Sequence, residues 1–345
     1  MEGRLPARTH PDPGRSGLMR ASIREVARRA GVSVGTVSNV LNRPDMVADA
    51  TRARVRAVIE ELGFVRNEAA RSLRQGTGRT LGVLVEDIAN PYFTDVARGA
   101  EAALNAGGFD AIWCTSDGSP EKERRCLDFL EEQGVSGIIM TPVALDAARV
   151  ARLRTRGLPV VLIDRRIPGA GACSVTVDHV AGGSLAIRHL ISLGRTRVAF
   201  ISVEPEPPSV RQRRGGALRS LARAGYAPDT VLHLAETEMT ANAGQQAARR
   251  LLEHRTLPNG ILCANDLLAI GLVNELTRSG VKIPQDVAVV GYDDIDLATT
   301  AVVPLTTVRQ PRRELGRIAT ELALTDADNR HVMLVPELVV RESAS

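Results

Sequence analysis

From Leu81 onwards the chain alternates short apolar runs with amphipathic stretches, and this alternation narrows the folds open to it more than any other feature. The runs TLGVLV, DAIWCTS, SGIIMTP and LPVVLID are separated by helix-like segments. The first of these runs from about Pro91 to Ala106, and the next covers EKERRCLDFLEEQG. A second series follows, with HVAGGSLAIRHLISLG, RVAFIS, RQRRGGALRSLARAG, GILCAND, LLAIGLVNELTRSG and DVAVVGYDD. Repeated βα units predict two parallel sheets with helices on both faces. In such sheets a ligand sits beyond the carboxyl ends of the strands. The polar residues that close these runs are therefore the first candidates: Asp87, Ser116, Thr141, Asp164, Ser202, Asn265, Asp266, Asp293 and Asp294.

At 345 residues the chain exceeds one ordinary domain. Aromatic residues make up only 3%, so the core must rest on Leu, Val, Ile and Ala. No stretch of about 18 apolar residues occurs, which predicts no membrane span. The first twenty residues carry Arg and Pro without an apolar segment, so they do not read as a signal peptide. Met1 to about Arg20 reads as a disordered leader. The four cysteines, Cys114, Cys126, Cys173 and Cys263, form no CxxC pair and read as small hydrophobes rather than metal or redox groups. The net charge of +4 hides an asymmetry. Arg20 to Arg79 carries a net +6, whereas the residues after it carry a net −3. A basic block on a mildly acidic body suits a polyanion-binding head on a soluble core.

That head, from Ser22 to Gly63, reads as three short helices. Ile23, Val26, Ala27 and Ala30 share one face of the first. Gly31 breaks it, and Ser33 is placed to cap the second. Val37, Val40 and Leu41 turn inward there, and Val34, Gly35, Thr36, Ser38 and Asn39 form the opposite face. The third helix starts near Asp49, with Val55, Val58, Ile59 and Leu62 on one side. Two short helices around a glycine turn, with a small polar face on the second, form the helix-turn-helix pattern. Arg24, Arg28, Arg29, Arg52 and Arg54 flank it as candidate phosphate contacts. An ordinary three-helix bundle is the competing reading, and the short polar face of the second helix counts against it.

The string AGVS-x-x-TVS-x-VLN, continued by TR-x-RV, ELGF and N-x-x-AR-x-L, closely resembles the lac repressor and galactose repressor family. The resemblance implies that the start of the second helix reads bases, here through Val34, Gly35 and Asn39, while Thr36 and Ser38 touch phosphates. Ser33 and Asn42 complete the implied DNA surface. Gly35 has no side chain, so readout falls to Val34 and Asn39. Two positions depart from the pattern: Ala48 stands where relatives often place a Ser N-cap, and Arg66 replaces a common Pro before Asn67.

The segment NEAARSLRQ, from Asn67 to Gln75, is two turns of helix and too short to hold alone in water. By itself it reads equally as a plain linker. The family resemblance implies paired hinge helices in the minor groove, with Asn67, Ala70 and Leu73 at the DNA and Leu73 wedged between base steps. One short helix cannot do this, so the resemblance also implies a homodimer on a near-palindromic double-stranded operator. No leucine-heptad tail follows Arg341, which favours dimers over tetramers.

Beyond the hinge, DIANPYF, VDH-x-AGG, HLISLG, CAND-x-x-AIG, P-x-DVAVVGYDD and PLTTVRQP extend the resemblance to about Glu342. They imply a periplasmic-binding-protein-like core of two doubly wound subdomains. The expected domains are a helix-turn-helix over 21–66, a hinge over 67–79 and a core over 80–345. The first subdomain is expected from about 80–178 plus 308–325, and the second from 179–307 plus 330–342. Chain crossings are expected near Val160 and at TTVRQP, with three crossings forming a hinge around a cleft. Position by position, Arg213, Asn265 and Asp293 are the implied effector contacts, with Asp87, Tyr92, Thr141 and Asp164 beside them. A guanidinium, an amide and a carboxylate can bracket vicinal hydroxyls of a sugar. Met239 occupies a place where relatives often offer an aromatic, which leaves stacking to Tyr92 or Phe93.

Against an enzyme, the chain lacks GxGxxG after the first strand, a P-loop, HExxH and GxSxG. A transport-type binding protein would need a signal peptide and no head. The expectation is a cytoplasmic transcriptional regulator, a repressor, without cofactor or metal. A small molecule, a sugar or sugar derivative, would set its operator affinity.

Overall fold

The computed structural model describes residues 21–64, 78–227, 231–325, 327 and 329–345. The chain divides into two compact units, parted between Arg74 and Gln75. The leader and the hinge residues Asn67, Ala70 and Leu73 lie outside the described residues.

The N-terminal unit is built from α1 (Ile23–Ala30), α2 (Val34–Asn42) and α3 (Asp49–Glu61). Each helix of the turn motif has a side-chain cap. Ser22 Oγ accepts from Glu25 N at 3.2 Å, and Ser33 Oγ accepts from Thr36 N at 3.0 Å. Between them Gly31 adopts φ 64°, a left-handed conformation that closes α1 and that residues with a Cβ adopt only under strain. Val26, Ala27, Ala30, Val37, Val40, Val55 and Val58 form a small buried core, while Ile23, Leu41, Ile59 and Leu62 pack at its edge. Ala48 caps α3 without a side-chain hydrogen bond, as its residue type dictates.

The C-terminal unit alternates strand and helix almost throughout. Its first sheet comprises β1 (Thr80–Val85), β2 (Asp110–Thr115), β3 (Ile138–Met140), β4 (Val160–Ile163), β5 (Cys173–Val177) and β11 (His331–Leu334). The order is β11-β5-β4-β3-β1-β2, and every pairing is parallel. The second sheet runs β12-β10-β9-β8-β6-β7. Its members are β6 (Val198–Val203), β7 (Leu232–Glu236), β8 (Gly260–Cys263), β9 (Ala288–Asp293), β10 (Thr306–Arg309) and β12 (Glu337–Val339), the last antiparallel to β10. Central strands such as β3, β4, β6 and β9 are buried at every position, as parallel strands covered on both faces must be.

Chain order changes sheets at three places: between β5 and the helix that follows it, between β10 and the helix that follows it, and between β11 and β12. Two expectations are corrected here. Val160 starts β4 inside the first sheet and is no crossing; the chain crosses after Val177 instead. The segment 330–342, expected in the second subdomain, divides, because β11 hydrogen-bonds to β5 in the first sheet while β12 pairs with β10 in the second. β10 likewise lies wholly in the second sheet. Short strands of this kind carry no label in their sequence for the sheet they join.

The helices are α4 (Pro91–Gly107), α5 (Pro120–Glu132), α6 (Ala147–Thr155), α7 (His179–Ser192), α8 (Pro208–Arg223), α9 (Ala241–Leu252), α10 (Asp266–Arg278), α11 (Asp296–Thr300) and α12 (Arg312–Leu324). Three helix pairs meet backbone to backbone through glycine. A Cβ on Gly99 would lie 1.9 Å from Arg313 O, one on Gly183 1.9 Å from Arg213 O, and one on Gly271 1.8 Å from Ala241 O. These contacts pin α4 to α12, α7 to α8 and α9 to α10. The middle pair sets where Arg213 stands.

Cys173 and Cys263 are buried, as expected of small hydrophobes. Cys114 on β2 and Cys126 on α5, distant in sequence, meet at the surface of one apolar cluster. Burial and the neighbouring Cys126 sulfur push the Cys114 thiol up to about 11, so it stays protonated and unreactive at neutral pH. Among the described residues no helix is long and apolar enough to cross a membrane.

Candidate functional site

On the N-terminal unit, α2 presents Val34, Gly35 and Asn39 outward. Val34 is 40% exposed. Ser33 and Thr36 are occupied in capping, with their hydroxyls 2.9 Å apart, and Asn42 Nδ2 donates to Ser38 Oγ at 3.1 Å. Asn39 makes no side-chain hydrogen bond among the described residues, so its amide is the polar group free to reach a base edge. Of the flanking arginines, Arg28 pairs with Glu25, Arg29 with Glu61 and Arg52 with Asp49. Arg24 and Arg54 have no acidic partner among the described residues. An asparagine bidentate to adenine is worth about 1–3 kcal/mol of discrimination. Asn39→Ala is therefore expected to weaken binding to the preferred site by about 5- to 150-fold, leaving non-specific binding nearly unchanged; equal losses on both in a salt-matched titration would refute a base-reading role.

In the C-terminal unit the carboxyl ends of both sheets face one cleft, of about 580 Å³ counted with its open mouth. The strand order reverses between β1 and β3 in one sheet and between β6 and β8 in the other, which is where such sheets open a crevice. Of the residues singled out from the sequence, Tyr92, Phe93, Thr141, Asp164, Arg213, Asn265 and Asp293 line it. Asp87 does not: its Oδ1 accepts from Ala89 N at 2.8 Å and closes a local turn. Glu86, one residue earlier, lines the cleft in its place. The strand-end rule points to the right loop but does not say which of two adjacent acids faces inward.

Other strand-end residues turn out to be structural. Ser202 Oγ lies 2.7 Å from His233 Nε2. Asp266 accepts from Ile295 N and from Thr307 Oγ1, and Asp294 binds Arg309 and Arg341. Ser116 Oγ reaches the Val85 and Glu86 carbonyls.

Inside the cleft a polar chain links the two lobes. Tyr92 Oη donates to Asp164 Oδ2 at 2.7 Å, and His179 Nε2 stands 3.4 Å from Asp164 Oδ1. Arg213 Nε donates to His179 Nδ1 at 3.3 Å, and its Nη1 donates to Ala264 O at 2.6 Å. The guanidinium stacks on Tyr292, 3.9 Å from the ring centroid, which fixes its plane. Asp293 Oδ1 lies 3.9 Å from Arg213 Nη1 and accepts from Gln310 Nε2 at 2.6 Å. Asn265 caps α10 through Leu268 N and donates to Met239 O, so its orientation is locked. His179 and Gln310, on two of the crossing segments, stand inside the motifs VDH-x-AGG and PLTTVRQP but were not singled out as site residues, because their roles depend on which lobes meet.

The charges are tuned by this packing. Burial pushes Asp293 up to about 6, against the pull of Arg213 and Gln310. Burial, together with the nearby Asp293 carboxylate, raises Asp266 well above the usual carboxylate range. Burial works against ionisation of Asp164 too, but contacts with His179 and Tyr92 and the Arg213 charge outweigh it and hold that carboxyl low. Burial and Arg213 keep His179 below its ordinary value, hence neutral at pH 7. A neutral His179 accepting from Arg213 carries its proton on Nε2, facing Asp164. Asp164 has φ 59° and Asp293 φ 119°, both in the region L-residues avoid. Backbone strain at two facing strand ends is typical of a ligand site, at about 1–3 kcal/mol each.

A helix-turn-helix unit joined to a two-lobed sensor core with a tuned polar cleft defines a ligand-responsive DNA-binding protein. Comparisons with known proteins agree. Residues 22–67 match the model of bacterial regulatory proteins of the lacI family, and residues 187–344 match a periplasmic binding protein-like domain. The chain is 33% identical over 329 residues to the HTH-type transcriptional repressor PurR of Photobacterium profundum, covering 94% of this chain and 98% of that one. Among solved structures it resembles the lac repressor dimer bound to operator and the anti-inducer ONPF. That match has a TM-score of 0.80 at 26% identity and covers 94% of this chain and 99% of the other. It also resembles a LacI family regulator from Enterococcus faecium with bound ribose, at TM-score 0.71 and 30% identity over 77% and 98% of the two chains. The chain belongs to the lacI family of bacterial regulatory proteins.

Proposed function

We propose that this protein is a cytoplasmic, homodimeric transcriptional repressor whose affinity for a near-palindromic DNA operator is set by a small polyhydroxyl effector in the cleft. The observation that carries this reading is the division of the cleft. Tyr92, Thr141 and Asp164 come from one lobe, and Arg213, Asn265 and Asp293 from the other. A ligand touching both sets binds the closed arrangement better than the open one, and it shifts the equilibrium by that difference. Operator and effector affinities must then change by the same factor in either direction. A sugar suits the mixed guanidinium, amide and carboxylate lining, and the Enterococcus faecium relative holds ribose.

Leu73 is assigned the minor-groove wedge on the resemblance alone, and the dimer supplies the second hinge segment it needs. We read the protein as having no catalytic role. The Ser202–His233–Glu206 grouping is not a relay, because the Ser202 hydroxyl at 2.7 Å and the Glu206 carboxylate at 3.7 Å both address Nε2 of the same ring.

The test is operator binding by the full-length protein in the presence and absence of a low-molecular-weight cell extract. A change of tenfold or more in affinity is expected. In parallel, Leu73→Ala is expected to weaken specific operator binding while the response to extract persists. An operator affinity indifferent to every extract fraction would refute the sensor reading.

A further inference from the structure

The polar atoms that the protein leaves unmet in the cleft are mostly acceptors. Glu86 lines it and makes no side-chain hydrogen bond or ion pair among the described residues. Thr141 Oγ1 is buried without a hydrogen-bond partner, whereas Asp164 Oδ1 already has His179 Nε2 beside it at 3.4 Å. Asp293 engages Gln310 and Arg213 through Oδ1; no hydrogen bond of its other oxygen is found among the described residues. Three carboxylates thus face a space in which Arg213 is the buried cation. Arg165 stands at the edge, with Nη1 donating to Val143 O. Burial raises the Glu86 carboxyl, the carboxylates of Asp164 and Asp87 add to the rise, and the charge of Arg213 opposes it without cancelling it.

We infer that Glu86 is a specificity-determining residue of the cleft and that the effector is a donor-rich, non-anionic polyhydroxyl compound, either a neutral sugar or an amino sugar. This rests on the cleft being the effector site. A hydroxyl group donates one hydrogen bond and an ammonium group three, so both classes satisfy carboxylates. A phosphate group offers acceptors and negative charge only, and it would enter among Glu86, Asp164 and Asp293 with like charge on three sides. A flat nucleobase fits poorly for a different reason. The aromatic wall is Tyr92 and Phe93, set edge to face at 82° with centroids 5.0 Å apart and nearly buried. The remaining apolar lining includes Pro207, Pro208, Val210 and Met239, none of them aromatic, so no second ring is available to complete a sandwich.

The experiment is calorimetric titration of the full-length protein with D-ribose, D-glucose, D-glucosamine, D-ribose 5-phosphate, D-glucose 6-phosphate and hypoxanthine, on the natural chain and on Glu86→Gln. At least one neutral or amino sugar is expected to bind, with its phosphorylated counterpart weaker by tenfold or more. Tighter binding of glucosamine than of glucose would identify the amino-sugar arm, and the reverse the neutral one. Glu86→Gln is expected to weaken the sugar by about tenfold, the loss of one hydrogen bond to a charged group, and to narrow the gap to the phosphorylated form. Binding of a phosphorylated sugar or hypoxanthine as tightly as any parent sugar would overturn the inference. So would an unchanged sugar-to-phosphate ratio in Glu86→Gln, or no binding by any sugar offered. In the last case an operator affinity that still answers cell extract shows that the sensor reading stands and only the effector class has failed.

Discussion

Asp293→Asn is expected to yield a protein that melts at a higher temperature and no longer answers its effector. Asp293 is buried at the end of β9, and its carboxyl titrates near 6 even with Arg213 at 3.9 Å and Gln310 donating to it. An acid whose folded value stands above its ordinary 3.8 destabilises the fold when ionised, by about 3 kcal/mol at most here. The sign follows from proton binding. Below pH 3.8 the group is protonated in folded and unfolded chains alike, and no penalty exists. The penalty grows as pH rises towards 6 and is complete at pH 7. Asparagine keeps the Oδ1 that Gln310 contacts, tolerates φ 119° as aspartate does, and has no charge to desolvate. The melting midpoint should rise by roughly 5 °C at pH 7, and the gain should vanish when both proteins are melted at pH 4. Effector binding should fall by tenfold or more, because an amide N–H replaces an acceptor in front of a ligand hydroxyl. A variant no more stable at pH 7, or one still released from operator by effector, would refute this account of Asp293.

The second large effect is expected at Gly183. Its Cβ would lie 1.9 Å from Arg213 O and 2.7 Å from Arg213 C, so alanine cannot fit unless α7 and α8 separate. Backbone on both sides leaves no flexible side chain to yield. Gly183→Ala should cost about 3 kcal/mol, the upper part of the range for overpacking, and lower the midpoint by roughly 5–10 °C. It should also move Arg213 off the Tyr292 ring and weaken the effector, although residue 183 does not line the cleft. Gly215→Ala is the control on α8. There the added Cβ meets only Arg219 Nη1 at 3.4 Å, a flexible tip, and a helix-interior glycine replaced by alanine gains about 0.5–1 kcal/mol. If both substitutions shift the midpoint alike, close helix packing is not what positions Arg213.

Local patterns in the chain carried far in the N-terminal unit. The spacing of Val26, Ala27 and Ala30, the caps at Ser22 and Ser33, and the left-handed Gly31 are effects within a turn or two, and a short helical unit is made almost wholly of such effects. The βα alternation likewise reveals the two-sheet core, and the strand-end rule leads to Asp164, Asn265 and Asp293. Glu86 was missed in favour of Asp87 because the facing of a residue just past a strand depends on the turn, and here Asp87 is held by Ala89 N. Sheet membership of β11 was misplaced because a four-residue strand pairs wherever the tertiary fold leaves an open edge.

By itself, then, the sequence determined the order of elements, the exposed face of α2 and the strand ends that carry polar groups, since these follow from periodicity, caps and propensity within short windows. Tertiary structure alone decided the rest: that Asp164 and Arg213, 49 positions apart, are bridged through His179; that Asp293 titrates near 6; and that the cleft leaves acceptors unmet. Those properties come from burial and from distances across the cleft, and desolvation has no meaning until the surrounding chain has excluded the water.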